Sequence, residues 1–167
     1  VLLSLIAGFV VMGCNNAATT ADSRNIEDSV YLRKGDSIAM LVQGILLKNV
    51  ANATQQLGVK GAVTFCNEKA AHLTDSVGGE YAVQRLSENN RNPGNAIESA
   101  SDSAAWQHLK TILKDSTVLQ RHFVRKTDND IYYYKAITIA MPACLNCHGS
   151  KEKDILPETL LVINEKY

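Results

Sequence analysis

The chain has 167 residues, with Lys plus Arg equal to Asp plus Glu at 17 each. A formally neutral protein offers no electrostatic case for nucleic acid as a partner. With 46% hydrophobic and 20% charged residues, the composition is that of one folded domain of ordinary size, not of a disordered chain.

The first element is the apolar run "VLLSLIAGFVVMGC" at 1–14. A helix needs about 20 apolar residues to span a bilayer, so this run has instead the length of a signal-peptide core. Its end resembles a bacterial lipobox, with Val11 and Gly13 ahead of an acceptor Cys14. The expectation is a signal peptide over 1–13, cut before Cys14, whose thiol is then lipidated. A plain secretory signal or a buried helix is the alternative. The chain opens on Val without the usual positively charged start, as expected if its N-terminus is clipped. Residues 14–29, containing "NNAATTADS", then read as a flexible lipidated tether, and 30–167 as the domain. Such an anchor places the protein on a bacterial membrane, on the extracytoplasmic (periplasmic) side.

From Tyr31 to Leu57 the spacing predicts a long helix, with Ile38, Leu41, Val42, Ile45, Asn49 and Ala53 on one stripe. Gly58 and Gly61 break or bend it. A second helix carries Val59, Ala62, Val63, Cys66, Ala70, Leu73 and Val77 on one face, and "VGG" at 77–79 stops it. "YAVQRLSE" at 81–88 alternates and reads as a strand. "NNRNPGN" at 89–95 is a dense turn cluster. A helix follows over 101–115, capped by Ser or Asp, with Ala105, Leu109, Ile112 and Leu113 on its apolar face. "VLQRHFVRKT" and "IYYYKAITIA" flank "DND" at 128–130 and predict an antiparallel hairpin. The last piece, "LPETLLVINEKY", reads as a short helix. Helices and antiparallel strands are segregated, which predicts an α+β fold with the sheet packed on the long helix.

"MPACLNCHGS" at 141–150 carries the chemistry: Cys144, Cys147 and His148 form a C-x-x-C-H set. A three-residue offset puts both thiols on one side of a helical turn, where they can add to two haem vinyl groups. His148 then presents an imidazole to the iron as proximal ligand. A dithiol redox pair would want a preceding parallel strand in a βαβ unit, and none is predicted. A zinc site would want a second Cys or Cys/His pair at suitable spacing, whereas His72, His108 and His122 are scattered.

Cysteine arithmetic leaves Cys66 over once Cys14 goes to lipid and Cys144 and Cys147 to haem. On the residues alone, Cys66 is either a small buried hydrophobe or a thiolate reaching the iron. Met40, His72, His108 and His122 stay open as alternative sixth ligands. Met141 is disfavoured because it sits beside the attachment site.

"CLNCHG", the upstream block "RLSENNRNPGNA" and the helix segment "AVTFCNEKA" together resemble the Tll0287-like haem domain, also catalogued as DUF3365. The resemblance covers roughly Tyr31 to Tyr167. It implies a PAS-like α+β fold with a single haem c, thioether links at Cys144 and Cys147, His148 as proximal ligand and Cys66 as distal ligand. Within the matched block, Arg91 reads either as a partner for a haem propionate or as part of a capped surface turn. Family members continue with a Gly-rich segment and closing strands beyond "NEKY", so a missing C-terminal end is expected.

The function expected is a haem-binding sensor or electron carrier, not an enzyme, since two axial protein ligands leave iron no open position. Thiolate ligation favours the ferric state. A diatomic gas could act by displacing Cys66, and the output would go to a separate redox or signalling protein. The alternatives are an exported thiol–disulfide oxidoreductase using Cys144 and Cys147, or a structural lipoprotein.

Overall fold

The computed structural model describes residues 17–139 and 141–167, with side chains described from Glu27 onward. The expected signal peptide over 1–13 and the expected lipidation site Cys14 lie outside the described residues. The first element, α1 (Ala17–Gly78), is a 62-residue helix with one break, and it already covers much of the 14–29 segment. At Gly58 the backbone turns to φ 70°, ψ 178°, a conformation that only glycine adopts without strain. The break divides α1 into a first and a second arm, the two helices predicted. Gly61 stays helical, but a Cβ there would collide with the Leu57 side chain across the kink. Gly79, at φ 61°, stops the helix, and the Tyr81 N–H donates to the Gly78 carbonyl at 2.9 Å.

On the first arm Val42 and Ala53 are buried, and Ile38, Ile45 and Asn49 are half-buried. Leu41, predicted on the same stripe, is 55% exposed. It is one residue from Val42, and one residue turns a side chain about 100° around the axis. On the second arm Ala62, Val63 and Ala70 are buried, and Cys66 is half-buried.

Residues 81–88 correct the sequence reading. They form no strand; 82–87 have no regular secondary structure and no ladder partner. The sheet among the described residues has only two strands, so alternation here found no neighbour to pair with. The Ser87 N–H instead donates to the Asn95 carbonyl at 3.0 Å and closes the 87–95 loop. Inside that loop Asn92 accepts from the Gly94 N–H and starts a 3₁₀ turn, Pro93–Asn95.

Next comes α2 (Ala100–Lys114), capped by Ser99, whose hydroxyl accepts from the Asp102 N–H at 2.9 Å. The predicted hairpin is present as β1 (His122–Lys126) and β2 (Ile131–Lys135), paired antiparallel with Val124 opposite Tyr133. Alternation gives the hairpin two working faces. One face meets the first arm of α1. Tyr133 donates to Asp36 at 2.9 Å, Lys135 pairs with the same carboxylate, and the Tyr133 ring lies where a Gly35 side chain would be. Lys126 reaches Glu27 and Asp28 on the same side. The other face meets α2, through Tyr134 to Asp102 at 3.0 Å, Arg125 to the Ser101 carbonyl at 3.1 Å, and His108 edge-on against Phe123.

The chain closes with α3 (Pro142–His148) and α4 (Pro157–Lys166). Val63 of the second arm joins Ile155 and Ile163 in a buried cluster, with Cys147, Leu160 and Val162 packed against it. Asn67 donates to the Lys166 carbonyl at 2.9 Å and pins the end of α4. The observed class is therefore α+β, with a long N-terminal helix carrying a hairpin on one arm and two short helices on the other. No helix among the described residues is long and apolar enough to cross a membrane.

Candidate functional site

α3 is seven residues long and holds the whole C-x-x-C-H set. Pro142 occupies its first turn, where a missing N–H costs nothing. The Cys144 N–H donates to the Met141 carbonyl at 3.0 Å, and the Gly149 N–H to the Leu145 carbonyl at 3.0 Å. Gly149 is needed for space. A Cβ there would meet the Leu145 carbonyl oxygen at 2.6 Å and the Asp154 side chain. The Asp154 carboxylate in turn accepts from the Ser150 N–H at 2.7 Å. The chain leaving His148 is thus turned at once into the 150–154 loop and α4, whose cluster backs Cys147.

These elements surround a cavity of about 700 Å³, within the size range of small-molecule and cofactor sites. Both arms of α1 line it, so it straddles the kink at Gly58. Leu46 and Val50 come from the first arm, Ala62 and Val63 from the second. The 85–95 segment, α3 and Tyr167 complete the wall.

The cavity brings together Cys66, Cys144, Cys147, His148 and Arg91, all singled out in the sequence. Met141 lies on the same wall, at the start of α3. The other candidate ligands are elsewhere. Met40 and His72 are exposed on α1, His108 packs on Phe123, and His122 faces Asp36 at 3.5 Å. Among the described residues no group of three or more His, Cys, Asp and Glu side chains forms a metal cage. Sequence reasoning missed Arg85, Tyr167 and the first-arm wall. Arg85 was hidden in a segment read as a strand. No sequence signal marks it, since Glu80 and Glu88 flank the segment.

The electrostatics follow from burial. Burial, with Cys147 nearby, pushes the Cys66 thiol pKa up, while Arg85 opposes this. Burial likewise raises Cys147, and Arg91 opposes it. His148 keeps an exposed edge, yet the protein packed around it, then Arg91 and Arg85, hold its pKa below the ordinary imidazole value. The neutral imidazole that results is the form that can bind a metal. Cys66, Cys144 and Cys147 are all free thiols.

Fold and site together define a small α+β domain in which a paired-cysteine–histidine helix and a further cysteine line one largely apolar cavity. The chain belongs to the Tll0287-like family, whose family model matches residues 16–160. No curated protein and no solved structure matches it.

Proposed function

We propose that this chain is a c-type haem protein, with a PAS-like domain holding a single haem c and a lipid anchor at Cys14 on the extracytoplasmic side of a bacterial membrane. The observation that carries the reading is that Cys66 and the Cys144–Cys147–His148 set line one cavity of about 700 Å³.

The residues fit the group. Leu46, Val50, Ala62 and Val63 supply an apolar wall for a macrocycle. Cys144 and Cys147, one helical turn apart on α3, would carry the two thioether links. His148 would be the proximal ligand, and the lowered imidazole pKa means little proton has to be displaced near neutral pH. Cys66 would hold the group from a second element, and its raised pKa keeps the thiol protonated in the free protein. Arg91 would stand beside a propionate. The bound group would supply one-electron redox chemistry and could take up a diatomic gas. The chain's own work is to hold both axial donors, exclude water with the α1 wall and pass the result to a redox or signalling partner, without turning over a substrate.

A thiol–disulfide oxidoreductase is the weaker reading. Such enzymes set the cysteine pair against a βαβ sheet with a depressed thiol pKa, whereas here Cys147 is backed by an apolar cluster and its pKa is raised.

The test is expression through an export pathway with c-type haem maturation, read by haem staining on a denaturing gel. Covalent haem is expected. A colourless product with a reversible Cys144–Cys147 disulfide would overturn the proposal.

A further inference from the structure

The cavity wall contains two guanidinium groups, Arg85 and Arg91, and no Asp or Glu side chain. Neither arginine enters an ion pair or a side-chain hydrogen bond among the described residues. Both are half-buried. Elsewhere the chain gives several of its cations carboxylate partners: Lys110 has Glu88, Lys126 has Glu27 and Asp28, and Lys135 has Asp36. Two partly desolvated cations without an anion, in a neutral protein, mark a site whose anion comes with a ligand.

The backbone holds the pair in place. Arg85 lies on the unladdered 82–87 segment, and Arg91 directly precedes the Asn92-capped turn. The Ser87 N–H donates to the Asn95 carbonyl and closes the 87–95 loop that carries Arg91. A small anion such as phosphate would leave most of the 700 Å³ and its apolar wall unfilled. The combination suits an amphipathic ligand with two carboxylates.

We infer that Arg85 and Arg91 form a two-point clamp for a dicarboxylate porphyrin, with Arg85 anchoring one of the two carboxylates. The inference rests on the haem reading above and adds Arg85 as a positioning residue. A guanidinium suits this role because it meets a carboxylate with two parallel N–H donors.

The test uses the full chain carrying Cys144→Ala and Cys147→Ala, so that porphyrin binding is reversible and titratable by absorption. Haemin is compared with haemin dimethyl ester, which lacks both carboxylate charges. Arg85→Gln is expected to weaken haemin binding roughly tenfold, the loss of one charge-assisted pair, and to leave ester binding unchanged. Arg85→Lys is expected to recover part of the preference for haemin, and Arg121→Gln, away from the cavity, to change nothing. Unchanged haemin affinity in Arg85→Gln, or equal losses for haemin and ester, would overturn the clamp while leaving the haem reading intact. If the parent binds neither porphyrin, the haem reading falls and the clamp with it. Should Arg85→Gln fail to fold, the haemin-to-ester ratio of Arg85→Lys against the parent decides: an unchanged ratio overturns the clamp.

Discussion

Cys66 on α1 lines the same cavity as Cys147 on α3, and burial, with Cys147 adding to it, raises the pKa of the Cys66 thiol. If Cys66 is the second axial ligand, Cys66→Ala will change the low-spin ferric absorption and EPR spectra of the haem-loaded protein. An identical spectrum would remove Cys66 from the iron. Covalent attachment should persist, because Cys66 is not part of α3.

Cys144→Ser tests the attachment helix itself. One thioether remains at Cys147, so haem stain on a denaturing gel should weaken, and the pyridine haemochrome band should move toward that of a haem with one free vinyl group. A stain and band equal to wild type would contradict the role of Cys144.

Two glycines of α1 should respond to alanine with opposite signs. Gly58 sits at φ 70°, and nothing lies within 4 Å of an added Cβ, so Gly58→Ala pays only in backbone strain, about 1–3 kcal/mol. Gly44 is helical and equally open, so Gly44→Ala should stabilise by roughly 0.5–1 kcal/mol. Urea melts of the two variants measure both. Two shifts of the same sign would be incompatible with a kink at residue 58.

The hairpin clamp sets a pH window. Burial and the Asp36 carboxylate raise the Tyr133 pKa far above the ordinary phenol value. The unfolded chain therefore ionises first as pH rises past about 10, and the clamp's stability, full below that pH, is lost above it. Lys135 and Tyr133 lower the Asp36 pKa, so its contribution is present above about pH 4 and is lost as pH falls further. Asp36→Asn should cost roughly 1 kcal/mol at neutral pH, after discounting for solvent screening, and flatten the acid limb. Tyr133→Phe should flatten the alkaline limb. Chemical denaturation between pH 3 and 11 reads both (roughly the span bracketing the two groups); unchanged slopes would show that the clamp does not couple to folding.

Much of this was legible because local signals agreed with tertiary needs. The two-arm helix followed from Gly58, the helix stop from Gly79, and the hairpin from "DND" between β-rich runs. The C-x-x-C-H set implied a helical turn through the three-residue offset of Cys144 and Cys147. What was not legible depended on distant partners. The 81–88 segment alternates like a strand, but pairing needs a neighbour, and local sequence does not supply one. Leu41 fits the helical stripe as well as Val42 does; only the position of the packing neighbours separates them. Arg85 acquires meaning only from the company it keeps, since the absence of carboxylates around it is a property of the assembled cavity.

The kink at Gly58 has a mechanical consequence. The hairpin grips the first arm at Gly35 and Asp36, and α4 grips the second arm at Val63 and Asn67. Between these grips, one residue's pair of backbone torsions sets the angle at which the arms meet. The cavity is therefore shaped like a vice, with the two arms of a single helix as its jaws and Cys66 mounted on one of them.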